Sequence, residues 1–500
     1  MKKLSTMLLA FGLICVALPA FAQYETINND TWWKDASGNP IFAQGGGISK
    51  FGSTYYWYGT QSGGAVSYYN TGTANSDYSF IQINCYTSTD LVHWTKQNPP
   101  VTTNTANFSS SEASGVSIRG QSVFYNSSSK LYFMEVAYSG TLGTGIACLT
   151  CSTPTGNFVW DHLQTNFPNV YNSPGDISFF VDVDHGSVPY MLCSDSHGRE
   201  HAYISTLSSD YKTINAATLI SEWSQGQEAN NMFERNGVYY YNMSNLAGWS
   251  YSYAWSVWST SILTPSDYTG DAQFPGTPAD FTHHTQIDFG VEVAGTELTN
   301  YFVMGDRWAD FDDSYQKAGL GSGYYEWCPV TFSGETPTYN SAGSFQIDAA
   351  TGQWQTTPGL ANGTYAVLNL HSGLELDAFE QGKTNGTPVD QWAWNGGQNQ
   401  EWTVTSLGSG KYSIVGVQSG LYLNSPSSTK GAQLNLESSN GSTSLAWVIA
   451  PAATPGYYTV QCVANSYLMD DYENATTNGT TTDQWSSNGG ANQEWSFSLQ

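Results

Sequence analysis

Three groups of residues in this 500-residue sequence have types and spacings that could do chemistry. Cys148-Leu-Thr-Cys151 offers thiolates at the spacing of half a zinc site, but it lies in a strand-like run, Ile146–Thr153, where residues three apart face opposite sides. No second cysteine pair or suitably spaced histidine completes it, so these read as structural strand cysteines. His197-Gly-Arg-Glu-His201 presents two imidazoles outside any helical pattern and reads as a polar loop. The third group is the 41 Asp and Glu spread among 18 Trp, 33 Tyr and 22 Phe. Carboxylates can serve as paired acid and base at a glycosidic bond, and flat rings cover the apolar face of a sugar. No phosphate-cradling glycine loop and no Ser/His/Asp pattern stands out, and the sequence calls for no cofactor and no metal.

The elements that must position such groups are strands. Only 11% of residues are charged, Gly numbers 50 and aromatics are abundant, which excludes disorder, coiled coils and large helical bundles. The formal net charge is −26 with 15 Lys and Arg, a poor partner for nucleic acid or anionic lipid. Lys2-Lys3, the apolar run Met7–Ala17 and Ala20-Phe-Ala22 before Gln23 have the form of a signal peptide over residues 1–22. The run is short for a span, which takes about 20 residues. The expectation is a secreted protein, extracellular or periplasmic, with no membrane partner, acting as a monomer.

Two repeat systems divide the rest. Ser53–Gly59, Lys130–Met134, Val188–Cys193, Gly237–Tyr241 and Asn300–Met304 are five aromatic strand signals. The first four are each followed by a further polar-aromatic segment, and spacings of about 50 to 75 residues suit radially repeated four-stranded sheets. The expected fold class is all-β, a five-bladed β-propeller over 23–356 followed by a second domain over 357–500. In that second domain Asp390-Gln-Trp-Ala-Trp-Asn-Gly-Gly-Gln-Asn-Gln-Glu-Trp402 recurs as Asp483–Trp495, with a weaker copy at Asn435–Trp447.

Two Gln-x-Trp units and a third copy that keeps the Trp but has Leu445 in place of the Gln, all in register, resemble the ricin-B-type β-trefoil lectins. The resemblance implies that the tryptophan of each unit is a core residue. It also implies a sugar held by an Asp, an aromatic platform and an Asn: Asp377, Trp392 and Asn395 in the first lobe, Asp470, Trp485 and Asn488 in the third. The middle lobe has Asn424 and Glu437 at the Asp and platform positions and reads as scaffold.

The first system carries Asn39-Pro-Ile-Phe-Ala-Gln-Gly-Gly-Gly-Ile48, Tyr55-Tyr-Trp-Tyr-Gly59, Ser88-Thr-Asp-Leu91, Gly175-Asp-Ile-Ser-Phe179, Gln227-Glu-Ala229, Met304-Gly-Asp-Arg-Trp308 and Phe345-Gln-Ile-Asp348. In order and spacing these are similar to glycoside hydrolase family 43, in its exo-β-1,3-galactanase branch. The resemblance implies Glu228 as general acid, its pKa lifted by burial in the central channel, and Asp176 as the carboxylate that tunes it. Trp249 would wall the terminal sugar pocket. Gln286, or His284 if the alignment slips by two, would position the attacking water for inversion. Most of the family places an Asp in the first blade, where this chain has Gln44. It also has Thr60 and Arg119-Gly-Gln-Ser122 where the branch carries substrate-contacting glutamates.

The expected function is therefore a glycosidase, a galactan 1,3-β-galactosidase acting on a polysaccharide such as β-1,3-galactan or arabinogalactan. Alternatives are a noncatalytic glycan-binding protein with a degenerate propeller, or an arabinofuranosidase or xylosidase of the same family.

Overall fold

The computed structural model describes residues 24–29, 31–73, 75, 77, 79–109, 119–247, 252–273, 285–307, 324–340, 342–408 and 410–500. The expected signal peptide lies outside these residues. No described helix is long and apolar enough to cross a membrane.

The chain is all-β, with one described α-helix, Gly63–Thr71, capped by the Ser62 side chain. Five antiparallel sheets follow one another. The first holds Gln44–Phe51, Thr54–Ser62, Phe80–Ser88 and Thr95–Lys96, with Val101–Thr102 also on the third strand. The next four begin with Arg119–Asn126, Pro174–Asp182, Gln227–Arg235 and Gln286–Ala294, and each has four strands in chain order. The five leading strands neighbour one another in sequence order, and the fifth returns to the first, closing a ring.

The five aromatic strand signals of the sequence all fall on the second strand of a sheet: Thr54–Ser62, Leu131–Gly140, Val188–Asp195, Val238–Asn245 and Thr299–Arg307. Those strands pack between sheets on both faces, so burial selects apolar and aromatic residues at nearly every position. Trp57, Tyr58, Met134, Leu192, Tyr240, Tyr241 and Val303 are all essentially inaccessible. Cys148 packs with Phe124 and Phe133 while Cys151 packs against a different cluster, the opposite facing expected of residues three apart.

Between the first and fifth sheets lies an aromatic cluster. Trp33 meets Trp327 at 4.6 Å and Trp57 meets Tyr325 at 4.6 Å between ring centroids. The N-terminal strand Glu25–Asn28 pairs with Ser344–Asp348, which pairs with Gln353–Thr356. Asn29 ties the same seam, donating to the carbonyls of Trp327 and Ala342 and accepting from the Trp327 amide. Residues far apart in the chain thus lock the ring shut.

From Gly363 to Leu499 a twelve-stranded sheet encloses a separate core. Trp402, Trp447 and Trp495 are fully buried there. Their indole N–H groups donate to Leu376, Leu423 and Met469 carbonyls at 2.9, 3.0 and 3.1 Å. The same bond recurs in each lobe, which is why the tryptophan persists even in the middle copy.

Candidate active site and sugar-binding lobes

Every leading strand of the ring breaks register near its start: at Gln44/Gly47, Arg119/Ser122, Pro174/Ile177, Glu228/Asn231 and Ile287/Phe289. Such bulges re-aim side chains that a regular pleat would turn into the sheet-to-sheet packing. The candidate groups Gln44, Asp176, Glu228 and Gln286 all lie at or beside these breaks. Beyond them the leading strands line a cavity of about 620 Å³ that runs past Ile48, Val123, Phe179, Met232 and Phe289.

Glu228 is 5% exposed. Its Oε1 accepts from Gln286 Nε2 at 2.8 Å and from the Ala247 amide at 3.3 Å. The bulge places Ala229 at φ 54°, and the Ala229 amide donates to Asp176 at 3.4 Å. Arg199 joins the two acids: its guanidinium lies 3.4 Å from Asp176 Oδ1 and 3.9 Å from Glu228 Oε2. The structure thus brings Glu228, Asp176 and Gln286 together, as expected, and adds Arg199. That residue belongs to the His-x3-His run read from sequence as a polar loop. Its loop does form polar contacts, with His201 on Asp195 at 2.9 Å, yet its left-handed residue Arg199 (φ 57°) turns into the site. An Arg following Gly198, in a chain with only 15 Lys and Arg, is the signal the sequence offers.

A water-holding group in an inverting site stands roughly 6.5–9.5 Å from the acid, with the sugar between them. Gln286 instead touches the acid directly. That contact orients the Glu228 carboxyl. Trp249 and His284 lie outside the described residues. Gln44 donates from Nε2 to the Tyr325 hydroxyl at 3.0 Å, and the neighbouring Gly45 amide donates to Asp306 at 2.7 Å. Burial pushes Asp306 up to about 7. Thr60, at an expected glutamate position, is buried and accepts from Gln121 Nε2 at 2.6 Å.

Gly175 makes room for this arrangement. A Cβ there would fall 1.2 Å from Arg199 Nη1 and 2.8 Å from the Asp195 carbonyl oxygen. Gly175→Ala should therefore push the guanidinium off both acids and lower kcat/KM about a hundredfold, the cost of roughly 1 Å of misplacement in a catalytic group. Kinetics on a natively folded variant, verified by circular dichroism, test this.

In the trefoil, Asp377 pairs across strands with Asp390, and Asp470 with Asp483. The middle lobe has Asn424 donating to Asn435 at 2.8 Å at the equivalent place. Asn399 donates to Asp377, and Asn492 and Gln493 donate to Asp470 at 2.8 and 2.6 Å. The expected Asn395 and Asn488 serve differently. Each side-chain oxygen accepts from the amide two residues on, Gly397 or Gly490, and shapes a turn. The asparagine beside the acid is Asn399 or Asn492, four residues later, and the repeat alone does not separate the two because both asparagines recur. Asp390 and Asp483 are buried, with their carboxyls against those of Asp377 and Asp470. Trp392 is 40% exposed and Trp485 is half-buried.

Burial, and for Asp390 and Asp483 the adjacent carboxylate, raises all four acids, Asp483 to about 7. Unfolded, each would ionise near 3.9. Stability from holding these protons is full below about pH 4 and is lost as pH rises through about 7. The thermal midpoint of the trefoil transition should accordingly fall between pH 5 and pH 8, and Asp390→Asn with Asp483→Asn should flatten that dependence in differential scanning calorimetry.

Cys148, Asp161 and His162 bring possible metal-ligand atoms within 4.8 Å of one another, but Asp161 is already engaged by Lys212 at 2.5 Å and His162 at 2.8 Å.

A ring of sheets with acids at one set of strand starts, joined to a trefoil with Trp392 exposed and Trp485 half-buried, is the architecture of a carbohydrate-active protein. Residues 350–437 and 443–500 match the family model described as ricin-type β-trefoil lectin domain-like. The whole chain resembles the solved exo-β-1,3-galactanase from Clostridium thermocellum, with 27% identity, a TM-score of 0.59 and coverage of 95% of this chain and 100% of that one. A GH43 β-1,3-galactosidase aligns at 20% identity and TM-score 0.54 over 95% of this chain and 94% of that one. The exo-β-1,3-galactanase from Phanerochaete chrysosporium, solved with β-1,3-galactotriose, aligns at 21% and 0.57 over 84% and 92%. These last two speak to the fold. No curated protein matches the chain.

Proposed function

We propose that this protein is a secreted glycosidase that releases terminal galactose from β-1,3-galactan, with a five-bladed propeller over 23–356 doing the chemistry and a trefoil lectin over 357–500 holding the polymer. The observation that carries the reading is the Glu228 carboxyl, buried at a strand bulge and held by Gln286, with Arg199 and Asp176 beside it. Glu228 gives a proton to the glycosidic oxygen, so that the leaving sugar departs as an alcohol. Asp176 engages the Arg199 guanidinium, which keeps that cation from being wholly committed to the acid. Gln286 fixes the carboxyl's rotation through one hydrogen bond. The likeness to the Clostridium thermocellum exo-β-1,3-galactanase supports both the linkage and attack from the chain end. The trefoil raises the local concentration of polymer chain ends at the propeller.

Incubation with β-1,3-galactan between pH 4 and pH 8 tests the reading. Free galactose as the first product is expected, and proton NMR of its fresh anomer reads the stereochemistry, inversion being the family expectation. Binding without any release would leave a glycan-binding protein in which Thr60 and the Arg119 segment mark the lost contacts.

A further inference from the structure

The three trefoil lobes are not equivalent where each borders its neighbour. A glycine from the preceding lobe donates its amide to the residue before each platform position. Gly479 donates to the Gln391 carbonyl, Gly431 to Gln484 and Gly386 to Leu436, all at 2.8 Å. These three bonds define equivalent places, so the residues before the glycines, Asn478, Lys430 and Asn385, are equivalent too.

Their chemistry differs. Asn478 accepts from the Ala393 amide at 2.8 Å, just after Trp392, and Asn385 accepts from the Ser438 amide at 3.0 Å. Lysine has donors only and cannot accept from the corresponding backbone amide. Instead its ammonium lies 3.8 Å from the centroid of the Trp485 ring, on the platform of the third lobe. It is one of three lysines, with no arginine, in residues 357–500.

We propose that the third lobe selects a glycan whose terminal sugar carries a carboxylate, a uronic acid, while the first lobe takes a neutral sugar. This rests on the reading of the trefoil as sugar-binding. A neutral pyranose stacking on the Trp485 face that Lys430 covers displaces the ammonium and gains no partner for it. A uronic acid takes the same indole face, presents its ring hydroxyls to Asp470 and Asn492, and leaves the ammonium paired with its carboxylate. Specificity of this kind is a difference between two affinities, and Lys430 acts on both: against the neutral ligand and for the charged one. The first lobe, with Asn478 held back on the Ala393 amide and Trp392 open, has neither bias. The two sites then read two kinds of chain end on one polymer.

Titration calorimetry on the full chain separates the lobes. Trp392→Ala leaves the third lobe, Trp485→Ala leaves the first, and the double variant gives the contribution of the propeller to be subtracted. The probes are methyl galacturonide and methyl galactoside, at low and high salt. In Trp392→Ala the uronide should bind about fivefold more tightly than the galactoside, the range of an exposed ion pair. High salt and Lys430→Asn should each remove that preference, and Trp485→Ala should show none. Equal binding of both probes by Trp392→Ala, or a preference that survives Lys430→Asn, overturns the proposal. Absence of binding above the double variant in both single variants overturns the lectin reading itself, a distinct outcome.

Discussion

Glu228→Gln should abolish galactan hydrolysis while leaving the protein folded and still able to hold the polymer. A positioned general acid contributes about 10² to 10⁴ in rate, or roughly 3–5 kcal/mol of barrier. The amide has the same shape as the acid, and its oxygen can still accept from Gln286 and from the Ala247 amide, which donate to Glu228 at 2.8 and 3.3 Å. Arg199 keeps Asp176 as its anionic partner. The substitution therefore removes a proton and little else. Galactose release from β-1,3-galactan, followed by anion-exchange chromatography, should fall at least a hundredfold. Affinity for insoluble polysaccharide should stay unchanged, because the trefoil indoles are untouched. A variant with full turnover would take the acid role away from this residue and leave only the lectin half of the functional reading.

The second large effect is expected at Gln286. Gln286→Ala removes a donor from Glu228 Oε1 and loosens its terminal torsion. The acid then samples orientations in which its proton points away from the glycosidic oxygen. Loss of a preorganised contact of this sort costs about 10² in kcat, with KM changed much less because Gln286 holds the acid rather than the sugar. The position also distinguishes two roles. If Gln286 positions Glu228, added azide does nothing for the variant, since the missing group is not a nucleophile or its holder. Azide that restores turnover and yields a galactosyl azide would assign Gln286 to the attacking water after all, with a rotamer change on substrate entry. Gln286→Asn, which shortens the reach by one methylene, should recover little.

The pattern of repeats makes much of this architecture legible in the sequence. Aromatic runs such as Thr54–Ser62 and Val238–Asn245 announce themselves because strands sandwiched between sheets bury both faces. The tryptophans of the trefoil do so because each fills the same hole and bonds the same carbonyl. Leading strands were fainter. Gln227–Arg235 reads Gln-Glu-Ala-Asn-Asn-Met-Phe-Glu-Arg, with a polar first half, yet eight of its nine residues are buried. Its polar groups face the ring's interior and one another, and a pattern of hydropathy cannot tell that from solvent.

The sequence by itself determined an all-β chain in two repeat systems, the lobes that keep a platform tryptophan, and the acids Glu228 and Asp176 as candidates. Only the tertiary structure decided which neighbours those groups have. Arg199 reaches the acids because Gly175 leaves space 24 positions away. Asn399 rather than Asn395 meets Asp377 because the turn between them consumes the earlier side chain. Lys430 lies on Trp485 because one lobe borders the next. Each of these is a contact between segments whose separation along the chain carries no information about distance, and it is set by strand register and bulges that appear only once the ring and the trefoil close.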